Sequence, residues 1–105
     1  MDIVETPIFT KRVIELLSDD SYRELQAVLI QHPDVGDRIA GSGGIRKLRW
    51  IGSGKGKRGG LRVIYYWFIG RDTLLMLYIY PKNEQSDLTA DQLKLLRQVV
   101  ERELK

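Results

Sequence analysis

The hydrophobic pattern of this chain changes period near Gly44, and that change constrains the fold more than any other feature. Before it, apolar residues recur about every 3.6 positions, as in a helix with one buried face; after it they alternate with a period of about 2, as in a strand. Ile3 and Val4 begin a short strand ahead of Thr6-Pro7, where threonine is a good N-cap and proline suits the first helical turn. Val13, Ile14 and Leu17 follow at helical spacing. Ser18-Asp19-Asp20 caps a second helix, with Tyr22, Leu25, Val28 and Leu29 on one side, and His32-Pro33 ends it. His32 reads as a C-terminal helix residue facing the negative end of the dipole, not as a catalytic group.

The stretch from Pro33 to Gly44 is rich in Gly, Asp and Ser and reads as loop. Ile45 to Ile51 then forms a strand with Lys47 and Arg49 on one face and Arg46, Leu48 and Trp50 on the other. Leu61 to Ile69 and Thr73 to Tyr80 are two further strands, joined by the tight Gly70-Arg71-Asp72 connection. Thr89-x-x-Gln92 is a capping box that opens a last helix, striped by Leu93, Leu96 and Val100. The order (β)-α-α-β-β-β-α predicts one α+β domain spanning residues 1–105, with an antiparallel meander, two N-terminal helices and a C-terminal helix.

Charge separates strongly along this scaffold. From Arg38 to Arg71 there are nine basic residues and no acidic one, whereas the remainder holds 8 basic against 14 acidic residues, a net −6. A basic patch on an acidic body attracts and orients a polyanion. The chain has no cysteine and a single histidine, which excludes disulfides, thiolate metal sites, histidine metal clusters and two-histidine ribonuclease chemistry. No metal and no cofactor is expected. The first residues lack the pattern of a signal peptide, and the apolar run Val63 to Ile69 is too short to span a bilayer, so a cytoplasmic protein without a membrane partner is expected.

The connection Gly52-Ser53-Gly54-Lys55-Gly56-Lys57-Arg58-Gly59-Gly60 lets backbone amides approach a phosphate while Lys55, Lys57 and Arg58 supply charge. Its Gly54-x-Gly56-x-x-Gly59 run is no dinucleotide fingerprint, because a strand follows instead of a helix. Alone, the segment reads as a soluble hairpin loop. Its neighbours favour a ligand. Arg62 stands in a strand where burial is otherwise favoured, and such an arginine must reach solvent, pair with an acid or hold an anion. No acid lies nearby in sequence. Tyr78, Tyr80 and Lys82 share one face by alternation, and in a meander Arg62, Tyr80 and Lys82 converge.

The runs Gly43-Gly44-Ile45-Arg46-Lys47-Leu48-Arg49-Trp50, Gly54 to Tyr66 and Tyr80-Pro81-Lys82-Asn83-Glu84 resemble the RelE superfamily of bacterial toxins, and within it the HigB-like branch. The resemblance reaches from about Phe9 to the last helix. It implies a twisted antiparallel sheet with packed helices, and a toxin that cuts messenger RNA in the ribosomal A site. It also implies a cognate antitoxin, of helix-turn-helix type in the HigB-like branch, and a toxin that is monomeric alone. By the resemblance, Arg62 is the arginine that contacts the scissile phosphate, Lys82 is the first basic position after the last strand, and Lys47 and Arg49 are basic positions of the first meander strand. Asn83 stands where some members have arginine, and Thr89 where some have a catalytic tyrosine.

The chemistry implied is attack of a ribose 2′-hydroxyl on the adjacent phosphate, leaving a 2′,3′-cyclic phosphate and a 5′-hydroxyl. Arg62 is expected to hold the phosphorane oxygens. Lys82, crowded by neighbouring cations, is a candidate base or acid, with Tyr80 and Glu84 as the others. Lys47, Arg49, Lys55, Lys57, Arg58 and Asn83 are expected to bind RNA. Two alternatives remain: a ParE-like inhibitor of DNA gyrase, and a non-catalytic RNA-binding module.

Overall fold

A computed structural model describes residues 1–51 and 60–103. The elements run β1 (Asp2–Glu5), α1 (Pro7–Leu16), α2 (Asp19–Gln31), β2 (Asp37–Arg38), β3 (Arg46–Trp50), β4 (Leu61–Phe68), a 3-10 turn (Ile69–Arg71), β5 (Thr73–Pro81) and α3 (Ala90–Glu103). The helix caps lie where side-chain chemistry predicts them. Thr6 accepts from Phe9 N and Ser18 from Ser21 N, both at 3.1 Å. Thr89 Oγ1 accepts from Gln92 N at 3.1 Å while Gln92 Oε1 accepts from Thr89 N at 2.9 Å, which completes the predicted capping box. His32 is the C-cap of α2.

The five strands form one sheet in the order β1-β5-β4-β3-β2. It is antiparallel except that β1 pairs parallel with β5, and β2 is a two-residue strand inside the segment expected to be loop. The α+β expectation holds, with a mixed sheet in place of a purely antiparallel one. Phe9, Val13, Leu16 and Leu17 of the first helical segment join Leu25 and Leu29 of α2 over Leu61, Val63, Tyr65, Leu74, Met76 and Ile79. The opposite face carries Ile45, Ile64, Phe68, Leu75, Leu77 and Tyr80, covered by Leu93, Leu96, Val99 and Val100 of α3. Both sheet faces are therefore buried over much of their area. Ile14 departs from the predicted stripe and is 73% exposed, since Phe9, Val13 and Leu16 already fill the contact with the sheet.

One irregularity sets the face of everything after it. Tyr65 pairs with Met76 but Ile64 pairs with Tyr78, so Leu77 is an extra residue on β5, a β-bulge. Leu77 and Tyr78 consequently both turn to the α3 side, although they are adjacent in sequence. Were alternation unbroken through Leu77, with no bulge, Tyr78 and Tyr80 would share the face of Leu74 and Met76, beneath the N-terminal helices.

Thr6 holds the bulge at the edge that β1 leaves uncovered. Its Oγ1 donates to Leu77 O at 2.9 Å, and its backbone N–H donates to Met76 O at 3.0 Å. The same hydroxyl oxygen caps α1. Further along the edge, Arg12 Nε donates to Ile79 O at 2.8 Å. At the other end of the hairpin, Gly60 enters β4 with φ +71, where a Cβ would come within 2.8 Å of Trp50 O.

Thr6→Ala removes a cap and a carbonyl partner together, so it is expected to cost about 1–3 kcal/mol in urea unfolding. Thr6→Ser keeps the hydroxyl and should recover most of that loss; equal stability of Thr6→Ala and the unsubstituted chain would refute the role of Thr6.

Candidate functional site

Register brings the basic strand residues into a row. Arg49 of β3 pairs with Arg62 of β4, and Arg62 pairs with Tyr80 of β5. Directly opposed residues of antiparallel strands project to the same face with Cβ atoms about 4.5–5.5 Å apart, so three polar groups stand side by side. The next row is Lys47, Ile64 and Tyr78. Lys82 N donates to Gly60 O at 3.2 Å, which carries the β4–β5 register one step further and keeps Lys82 on the Arg62 face. The convergence of Arg62, Tyr80 and Lys82 expected from alternation is thus present at the level of backbone register.

The members differ in burial. Arg62 is 9% exposed and Tyr80 is fully buried, whereas Arg49 and Lys82 are exposed and Lys47 is half-buried. Burial pushes the Tyr80 phenol above its ordinary value, and the charge of Asp87 adds to this while Arg62 opposes it. At neutral pH Tyr80 is therefore a neutral hydrogen-bond donor, suited to giving a proton or a hydrogen bond and not to taking one. Its hydroxyl is buried and has no hydrogen-bond partner among the described residues.

Asp87, from the segment between β5 and α3, is the residue that sequence reasoning missed. Lys47 Nζ donates to Asp87 Oδ1 at 3.0 Å. That hydrogen bond and the charge of Lys47 hold the Asp87 carboxyl below its ordinary range, with Arg62 and Lys82 contributing in the same direction. An acid thus stands among the cations although none is near Arg62 in sequence. Its faint signal was the loop Asn83–Leu88, which must turn back over the sheet to start α3 on the Leu93 face.

Glu84 lies elsewhere. Its Oε2 accepts from Arg12 Nη2 at 2.8 Å, and the Arg12 guanidinium also stands 5.2 Å from the centre of the Tyr78 ring. The ion pair ties the turn after β5 to α1, so Glu84 is placed as a fastening for the Lys82 segment. Asn83 is exposed in the same turn. Lys55, Lys57 and Arg58 lie outside the described residues. Thr89 uses its hydroxyl as the cap of α3.

One cleft of the described residues lies apart from the row. A cleft of about 540 Å3 runs between the β1–α1 junction and α3, lined chiefly by Val4, Ile8, Leu75, Leu77, Leu96 and Val99, and it holds no part of the row. The exposed cations Arg49 and Lys82 at the ends of the row suit an extended polyanion laid across strands better than an enclosed small molecule. Among the described residues no group of three His, Asp or Glu side chains is placed to hold a metal ion, and no helix is long and apolar enough to cross a membrane.

Two solved structures share this fold. The chain superimposes on a chain of the intact E. coli RelBE toxin–antitoxin complex with a TM-score of 0.59 and 11% identity, covering 74% of this chain and 92% of that one. A double mutant of the E. coli toxin RelE in the free state matches with a TM-score of 0.59 and 10% identity, over 81% of this chain and 86% of the other. No protein-family model matches the chain. At these identities the comparisons establish the RelE-like fold.

Tyr80→Phe removes a buried hydroxyl that has no described partner, so stability in urea should be unchanged or higher by up to about 1 kcal/mol. A loss above that size would instead reveal a structural bond to this hydroxyl.

Proposed function

We propose that this chain is the toxin of a type II toxin–antitoxin system, a ribosome-dependent endoribonuclease of the RelE superfamily in its HigB-like branch. The row Arg49–Arg62–Tyr80 across three strands carries the reading. It sets a largely buried guanidinium between an exposed cation and a neutral phenol, on a fold shared with RelE. The cognate antitoxin is proposed to be of helix-turn-helix type, with cytoplasmic 70S ribosomes and messenger RNA as the other partners.

In the proposed reaction the ribose 2′-oxygen attacks the adjacent phosphorus in line, the 5′-oxygen leaves, and a 2′,3′-cyclic phosphate and a 5′-hydroxyl result. Charge builds on the non-bridging oxygens of the phosphorane. Arg62 meets that charge with a planar fork of donors held by the sheet, which needs little reorganisation at the moment of reaction. Tyr80, protonated and buried, flanks Arg62 in the row, and of the three catalytic candidates it stands nearest in register to that guanidinium. Lys82 is the proton-transfer candidate, close enough to Asp87 for its charge to be felt there. Lys47 and Arg49, with Lys55, Lys57, Arg58 and Asn83, bind RNA backbone. The ribosome contributes by fixing the message, so that positioning compensates for modest acid–base help.

Primer extension on messages after brief expression tests this reading. Codon-spaced cuts confined to translated regions are expected, and Arg62→Ala is expected to reduce them about 10²-fold or more. Because Arg62 is buried, Arg62→Lys serves as a companion that keeps charge but loses the fork; a fully toxic Arg62→Ala would refute the assignment. DNA damage without RNA cuts would indicate a gyrase inhibitor, and neither effect would indicate an RNA-binding module.

A further inference from the structure

The carboxylate of Asp87 stands in the middle of a site otherwise built to hold phosphate. Lys47 Nζ donates to it at 3.0 Å, and Arg62 and Lys82 are near enough to stabilise its charge. Its backbone is fixed. Gln85 Nε2 donates to Asp87 O and to Gln92 Oε1, both at 2.8 Å, and Gln92 belongs to the capping box of α3. Its carboxylate is not fixed by packing, since the side chain is 72% exposed against 35% for Lys47. The backbone is therefore anchored while the ion pair is exchangeable.

A carboxylate oxygen and a phosphate oxygen are alike as acceptors for an ammonium group. The two compete for Lys47. We propose that Asp87 is a tethered competitor, whose carboxylate takes the place of an RNA phosphate on Lys47 and must be displaced before RNA can be seated. The inference rests on the RNA-cleaving reading and deepens it. An exposed ion pair is worth up to about fivefold in an equilibrium constant, and it weakens with salt. That is enough to disfavour dilute RNA free in solution. It is far too little to resist a message already held beside the site, where the effective concentration reaches the millimolar range or more. Asp87 thereby makes the site selective for RNA presented by another body.

Two other roles for Asp87 predict different behaviour. A general base would lose cleavage when neutralised and leave RNA binding unaltered, and its lowered basicity already argues against that role. A purely structural acid would, when neutralised, release Lys47 and weaken binding.

The test is fluorescence anisotropy of the purified chain with a short 2′-O-methyl oligoribonucleotide, which binds but lacks the attacking hydroxyl. Asp87→Asn is expected to bind about twofold to fivefold more tightly at low salt, with the gain shrinking as salt rises and the melting temperature unchanged. In the Lys47→Gln background the gain should largely vanish, because the competed group is gone. Equal or weaker binding by Asp87→Asn, no binding by either protein, or a full gain in the Lys47→Gln background would each overturn the proposal. Translation-coupled cleavage by the unsubstituted chain is scored in parallel. Cleavage without tighter binding by Asp87→Asn rejects the competitor alone, whereas tighter binding without cleavage by the unsubstituted chain rejects the nuclease reading.

Discussion

The extra residue in β5 is the constraint on which the polar face depends. A strand shifted by one position exchanges its faces, and Leu77 makes that shift once, between the Met76 and Tyr78 pairings. Residues before it obey the packing of the N-terminal helices; residues after it present Tyr78 and Tyr80 beside Arg62. A bulge leaves backbone groups without ladder partners, and here Leu77 O is met by the hydroxyl of Thr6. One threonine thus joins the start of α1 to the strand that carries the site. Arg12 extends the same edge through Ile79 O and Glu84, so α1 borders the site without contributing to its polar row. Closing the edge in this way also removes a template for pairing with another chain.

The charges of the site divide by depth. Exposed groups such as Arg49 and Lys82 interact through water and are individually weak, so they suit the docking of a polyanion whose many phosphates add up. Arg62 is different, because a guanidinium with little exposure acts through a lower dielectric and is oriented by its strand. Tyr80 beside it is buried further and remains neutral for that reason. The gradient runs from solvent-facing cations to a preorganised donor pair, which is the order a backbone phosphate would meet on approach.

Much of this was legible in the sequence where the determining interactions are local. Thr6, Ser18 and Thr89 announce their helices because a cap spans only a few residues. Lys47 and Arg49 share a face because strand alternation needs no partner to be read. The bulge at Leu77 was not legible, since the run Leu74 to Tyr80 is apolar throughout and carries no alternation to break. Asp87 and the Arg12–Glu84 bond were hidden for another reason. Each joins residues separated by 40 and 72 positions, and nothing in a loop acid states which cation it will meet. The parallel pairing of β1 with β5 is hidden likewise, because four residues give a strand but no partner.

Placing Arg49 directly opposite Arg62 is a choice that stability alone would not favour. Like charges facing each other across antiparallel strands destabilise a sheet, and here one of them is largely buried. A core-facing alternative is readily available to a strand of this composition, as the neighbouring Val63 and Ile64 demonstrate. Positions that break a local rule while the surrounding structure obeys it are where function is to be sought. In the proposed function, an anion laid along the row meets both charges at once. Tyr80 flanks Arg62 on the other side with its hydroxyl buried, and adds no charge to the row. The Asp87 carboxylate, bonded to Lys47 and stabilised by the charges of Arg62 and Lys82, shows that the row already accommodates an acid from within the chain.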